Sequence, residues 1–137
     1  MPGSLTPALE RLAGRFASLP GIGRKSALRL AYHVLEMDES EVRAFADALL
    51  SAKESIHICP VCMNFCEGAL CPICADASRD RSVICVAEDS KAVKAIEDLN
   101  EYRGLFHILH GVISPVDGIG PDKLKIKELL ARLTPKV

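Results

Sequence analysis

The stretch CPVCMNFCEGALCPIC, residues 59–74, places five of the chain's six cysteines within sixteen positions. Its reading decides the compartment and the middle of the fold. Cys59 and Cys62 form one C-P-x-C turn, Cys71 and Cys74 form another, and eight residues separate them. A C-x-x-C turn brings two sulfurs to one side, and its backbone N–H groups can face the thiolates. Two such turns opposite one another make a closed tetrahedral four-sulfur site, which suits Zn²⁺. With every position filled by protein, such a zinc is structural and folds a segment too short to build its own core. A thioredoxin-like redox pair needs one C-x-x-C after a strand, not two in tandem. Cys66 lies between the pairs and reads as a small spacer, and His57 is a weaker substitute ligand.

The 137 residues suffice for one ordinary domain or a few small modules. Nearly half are apolar, 49%, so most of the chain should fold. No signal peptide is visible at the start, and no charge-free run is long enough to cross a bilayer. The chain is therefore expected to be cytoplasmic, where thiols stay reduced and a disulfide framework is disfavoured.

Net charge is −1, which says nothing about a polyanion partner, but its distribution does. Between Arg11 and Leu35 stand Arg11, Arg15, Arg24, Lys25 and Arg29 with no acid. Between Glu36 and Asp47 the balance reverses, with five acids against Arg43.

Apolar spacing predicts helices over about 6–17, 24–35 and 38–53, the last opened by Asp38 and Glu41 as a capping box. In the third, Val42, Phe45, Ala46, Leu49 and Leu50 are expected to face inward. Between the first two lies Leu19-Pro20-Gly21-Ile22-Gly23, where glycines allow a tight turn and close approach of a ligand. The helix that follows offers free N–H groups and its positive dipole end there. Lys25 and Arg29 share one face of it. This is the pattern of a helix-hairpin-helix, which grips the DNA backbone without reading bases. Gly21, Gly23, Arg24, Lys25 and Arg29 are the candidate DNA contacts. A plain glycine-capped helical turn is the competing reading.

Beyond Cys74 the period changes. Strands are expected over 82–87 and 105–109, with helices over 91–99 and 122–133, a β-α-β-α order that implies parallel strands. Two parallel strands make too small a sheet, so this α/β part is expected to be incomplete, finished either by more of the chain or by a partner. Glu88 follows the first strand directly, where α/β sites gather. Magnesium chemistry on phosphates needs further carboxylates, and the chain has no Asp-x-Asp. Gly118-Ile119-Gly120, followed by Lys123, Lys125 and Lys127, is either a second phosphate loop or, the favoured reading, a loop that shapes the first turn of the last helix. The alternation of those lysines does not make one helical face. His33, His107 and His110 read as ordinary core or surface residues.

Three motifs in order, LPGIGRKSALRLA, then CPVC…CPIC running into SRDRSVICVAE, then LHGVISPVDGIGPDKL, resemble the bacterial recombination mediator family RecR from about Leu5 to Leu133. The resemblance implies an α+β, multi-module chain. Residues 1–55 form a helical helix-hairpin-helix DNA-binding domain. Residues 56–78 form a four-cysteine zinc motif on Cys59, Cys62, Cys71 and Cys74. Residues 79–137 form the first part of a Toprim-like α/β domain, in which Glu88 matches the acidic residue after the first strand. It implies a non-enzymatic role with one structural Zn²⁺, sequence-independent binding of single- and double-stranded DNA, and work with RecO- and RecF-type partners to load RecA. It also implies self-association into dimers or ring-shaped tetramers. The family continues past Val137 through the rest of the Toprim domain, which fits the unfinished sheet. The family commonly has Gly-Gly at His110-Gly111 and often Pro at Arg24. The alternatives are a Toprim-type magnesium-dependent nuclease or topoisomerase, and a zinc-dependent protein adaptor that never touches DNA.

Overall fold

The computed structural model describes residues 4–137. They fall into two compact units that part within the last turns of a long helix, the first ending at Ser51 and the second running Ala52–Val137.

The first unit is helical. α1 (Pro7–Ala17) begins on Thr6, whose hydroxyl accepts the Leu9 N–H at 3.3 Å, with Pro7 at the first helical position. α2 (Arg24–Glu36) packs on α1 through Leu9, Ala13 and Ala31, with Leu12, Phe16 and Leu28 around them. Alanines at the crossing let the two backbones approach closely.

α3 (Glu39–Ser55) departs from expectation on two points. The Asp38 carbonyl, not a side-chain capping box, receives the first N–H groups, from Glu41 at 3.0 Å and Val42 at 3.1 Å. Its apolar stripe does not pack inward either: Phe45, Leu49 and Leu50 are 54%, 63% and 60% exposed, and α3 buries no residue. Two short helices already joined through alanines offer too little surface to cover a third. An apolar groove of about 450 Å³, lined by Leu12, Phe16, Leu19, Val34, Phe45 and Leu49 among others, lies open instead.

In the second unit the zinc-motif segment and the α/β segment share one core. β1 (His57–Ile58) pairs antiparallel with β2 (Phe65–Cys66), and α4 (Pro72–Ala75) is a single turn. β3 (Asp80–Ala87) and β4 (Gly104–Ile108) pair in parallel, joined by α5 (Ser90–Asp98). From Ile84↔Leu105 to Ala87↔Ile108 the register is regular, with an irregularity between Asp80 and Ile84. Every residue of β4 is buried. Met63, from the cysteine segment, joins Ala87, Val93, Phe106 and Ile108 in one cluster. The Ile108 N–H donates to the Cys62 carbonyl at 2.8 Å, which ties the sheet to the first C-x-x-C turn.

Arg79 ties the unit together from the other side. Its side chain is 8% exposed and grips Glu97 of α5 through both terminal nitrogens. It also donates to the carbonyls of Tyr102 and Gly104 at 3.4 and 3.3 Å. Arginine suits the position because its planar fork serves several acceptors at once.

The last helix is shorter than its sequence pattern. A 3₁₀ turn (Pro121–Lys123) comes first, Leu124 is extended and buried, and α6 runs Ile126–Arg132. Placing Leu124 in the core breaks the helix, and the Lys125 N–H bonds the Leu109 carbonyl instead of an intrahelical partner. Gly118 (φ +70°) lies in a small hairpin closed by two backbone bonds between Ser114 and Ile119, at 2.8 and 2.9 Å.

His107 on β4 is fully buried. Its Nε2 donates to the Lys125 carbonyl at 2.7 Å and its Nδ1 accepts from Arg132 at 3.1 Å. Burial, with the Arg132 charge beside it, holds its pKa below the usual histidine range. A depressed value means the folded state takes up a proton less readily than the unfolded chain. Its contribution is therefore present above the unfolded value, about 6.5, and is lost as pH falls through and below it. We predict that the second unit loses stability between about pH 7 and pH 5. In His107→Gln that dependence should flatten, as read by urea denaturation at a series of pH values. An equally steep dependence in the variant would assign it to other groups.

Candidate metal centre and candidate nucleic-acid interface

The two C-x-x-C turns close on one another. The Sγ atoms of Cys59, Cys62, Cys71 and Cys74 all lie within 4.8 Å of each other, and all four residues are buried. Tetrahedral Zn–S bonds of about 2.3 Å hold their sulfurs about 3.8 Å apart, and the Cys62–Cys71 separation is 3.5 Å. The donor set is all sulfur and leaves no position for a substrate. It fits one structural zinc ion per chain.

Local geometry explains how a short segment reaches this arrangement. Met63 adopts φ +66°, a left-handed conformation that folds the chain back after Cys62, so that the Met63 N–H bonds the Cys59 carbonyl at 3.0 Å. The Asn64 N–H then points at Cys62 Sγ, 3.4 Å away. In the second turn Cys71 is the N-cap of α4, Pro72 follows, and the Cys74 N–H points at Cys71 Sγ, again 3.4 Å away.

Electrostatics call for a cation. Hydrogen bonds from the Cys62 and Cys74 thiols hold Cys71 strongly down as a thiolate. The same contact with Cys71 pushes Cys62 up to about 12, and contacts with Cys62 and Cys71 push Cys74 up as well. Against the opposing effect of burial, backbone and side-chain hydrogen bonds hold Cys59 below the usual thiol range too, so thiols driven down and thiols driven up are crowded together. A divalent cation lets all four ionise, which couples metal binding to folding.

Cys66 is buried beside this cluster but stands outside the four-sulfur set. Its Sγ is 3.4 Å from His57 Nε2, which donates to the Gly68 carbonyl at 2.8 Å. His57 is thus engaged with backbone and not turned to the metal. Ser in place of Cys59 or Cys74 should lose the zinc and unfold the second unit, read by elemental analysis and circular dichroism. Cys66→Ser should retain one zinc per chain; loss of zinc there would mean that Cys66 is a ligand.

The turn before α2 is built differently. Gly21 has φ +80°, a conformation that L side chains rarely adopt, and a Cβ there would meet nothing within 4 Å. Gly23 is the N-cap and supplies no side-chain acceptor. The first intrahelical bond runs from the Ala27 N–H to the Gly23 carbonyl, at 2.9 Å. The N–H groups of Arg24, Lys25 and Ser26 therefore have no intrahelical acceptor at an exposed helix start. This is anion-binding geometry.

The five candidate contacts divide. Gly21 and Gly23 shape the turn. Arg24 is committed elsewhere: its guanidinium pairs with Glu10 of α1. Lys25 and Arg29 are exposed, four residues apart on one face, and make no ion pair among the described residues. The acid-free stretch is visible in the sequence, but not the reach of Glu10, just outside it, to Arg24.

Glu88 is exposed at the C-terminal end of β3, and its carbonyl accepts the Gly111 N–H at 2.9 Å. The neighbouring Asp89 carboxylate is used as the N-cap of α5, accepting the Ala92 N–H at 2.9 Å. Among the described residues no cluster of three or more carboxylate, histidine or cysteine groups includes Glu88. His110 stands at φ +60° and is followed by Gly111 at φ +141°, so both positions ask for glycine-like backbone freedom.

Comparison with known proteins agrees region by region. Residues 9–53 match the family described as RecR, helix-hairpin-helix, residues 56–76 match the four-cysteine zinc finger domain of RecR, and residues 82–135 match the Toprim domain. Recombination protein RecR of Deinococcus radiodurans is 50% identical over 127 residues, 93% of this chain and 58% of that protein. The Chlorobaculum tepidum protein of the same name is 52% identical over 92% of this chain and 63% of its own length. That of Lactobacillus johnsonii is 47% identical over 91% and 63%. The chain thus spans about three-fifths of the length of these relatives. All three regions are matched in order and about half the positions are identical, so the chain is RecR-like over the part of those relatives that it spans.

Proposed function

We propose that this chain is a DNA-binding, non-catalytic mediator of recombinational DNA repair. The observation that carries the reading is the start of α2. Free backbone N–H groups, an uncapped positive helix end and the unpaired cations Lys25 and Arg29 converge on one exposed turn. Each feature suits a phosphate and none reads a base, so these contacts are independent of sequence and open to both single and double strands. The zinc ion has a structural part. It folds the segment between the helical unit and the sheet and takes no part in chemistry.

In this reading the protein works on DNA in the cytoplasm, at the nucleoid. There it acts with RecO- and RecF-type partners to load RecA recombinase onto single strands. Self-association into dimers or tetramers is part of the proposal, and the exposed apolar side of α3 supports it.

The mediator reading is favoured over a Toprim-type nuclease or topoisomerase by the surroundings of Glu88. Its neighbour Asp89 is held as a helix cap, and a magnesium site for phosphate chemistry needs several carboxylates. An adaptor that never touches DNA leaves the cationic turn of α2 without a purpose.

Two measurements test the proposal. Fluorescence anisotropy with labelled oligonucleotides should show binding that weakens steeply with salt. Lys25→Ala/Arg29→Ala should lower the salt slope by about 1.4 on single strands, roughly 0.7 per phosphate contact. Binding of equal strength and slope in the double variant would remove the turn from the interface. Incubation with supercoiled plasmid and Mg²⁺ should leave the plasmid intact, whereas nicking lost in Glu88→Ala would make the protein an enzyme.

A further inference from the structure

Tyr32 lies on α2 three residues beyond Arg29 and seven beyond Lys25. At about 100° per residue it comes within about 20° of Lys25 and about 60° of Arg29 around the helix axis. The buried face of α2, carrying Ala27 and Ala31, points elsewhere. Tyr32 is 50% exposed, and its hydroxyl makes no hydrogen bond among the described residues. The chain's other tyrosine shows what a structural one does. The Tyr102 hydroxyl donates to the Leu105 carbonyl at 2.6 Å, and its ring meets Phe106 edge-on with centroids 5.0 Å apart. Tyr32 has neither kind of partner.

We infer that Tyr32 is a base-stacking platform for single-stranded DNA whose backbone is held at Lys25 and Arg29. This rests on the DNA reading above and adds a preference to it. Phosphate contacts alone do not distinguish strand states, whereas an exposed aromatic face accepts only a base that has left its stack. Placement supports the pairing. Arg29 and Tyr32 are separated by about 4.5 Å of helix rise, so a strand with a phosphate at Arg29 has an adjoining base within reach of the ring. Glu36 is the next residue along the same stripe. Its charge repels phosphate, so the backbone contacts stay on the N-terminal side of Tyr32.

The chain contains no tryptophan and two tyrosines, so stacking has its own optical signal. The test titrates the whole chain with oligo-dT, an abasic strand of equal length and a duplex. Anisotropy and tyrosine emission are followed together at several salt concentrations. For wild type, oligo-dT should quench tyrosine emission and the abasic strand should not. Tyr32→Ala should weaken oligo-dT binding roughly five- to hundredfold, with an unchanged salt slope and little change on duplex or abasic DNA. Tyr32→Phe should keep the affinity within about twofold while removing the quenching. Circular dichroism should show both variants folded.

If wild type binds none of the three DNAs, the DNA reading fails and this inference with it. If wild type binds but Tyr32→Ala loses oligo-dT and duplex equally, or neither, only the stacking assignment is overturned. Unchanged DNA affinity together with an altered subunit number in light scattering would make Tyr32 a protein-interface residue instead, and would also overturn it.

Discussion

Four thiols crowded within 4.8 Å are the constraint on which the second unit depends. They cannot all ionise without a cation, and the two C-x-x-C turns have no reason to meet without them. The consequences run outward through named contacts. The first turn positions the Cys62 carbonyl for the Ile108 N–H and inserts Met63 into the cluster of Phe106 and Ile108. Metal binding and packing of the parallel sheet are thereby one event. A two-strand parallel sheet is ordinarily too small to stand alone. Here its buried strand β4 is covered by the cysteine segment and α5, and Arg79 closes the end where β3 begins.

That coupling explains why the chain after Cys74 runs through SRDR. Arg79 spans from Glu97 of α5 to the carbonyls of Tyr102 and Gly104 at the start of β4. Arg81 donates to the Cys74 and Asp76 carbonyls, at 3.1 and 3.3 Å, on the side of the cysteine segment. The two arginines, two residues apart, thus serve different neighbours, one the sheet and α5, the other the zinc segment.

Much of this was legible in the residues. Cysteine spacing announced the metal set because the chemistry needs those side chains at that interval. The helices, the parallel strands and the Gly21–Gly23 turn were legible because periodicity and glycine placement are local signals. What was not legible depends on distant partners. The stripe of α3 has the right period for a core helix, yet Phe45, Leu49 and Leu50 stay exposed because nothing of sufficient size packs on them. Leu124 interrupts a helical pattern because the core needs it extended. Glu10 and Arg24 are fourteen residues apart, and only the packing of α1 on α2 makes them a pair. Cys66 and His57 meet because two short strands put them opposite one another.

The first turns of the three long helices carry opposite charge choices. α1 has Glu10 and α3 has Glu39 and Glu41 in the first turn, which suits the positive end of a helix. α2 has no acid there and instead has Arg24 and Lys25, after a cap with no side chain. For stability this is an inverted arrangement. Each cation near that end costs a few tenths of a kcal/mol or more, and the missing cap roughly as much. Glu10 neutralises only one of the two cations, and as an exposed pair it adds little stability. Among the described residues nothing compensates the Lys25 charge and the free N–H groups. A helix start with no acid of its own, no side-chain cap and Lys25 left without a counter-charge among the described residues is unfavourable unless an anion from outside completes it. In the proposed function that anion is a DNA phosphate, and the stability given up at α2 is recovered only when the strand is bound.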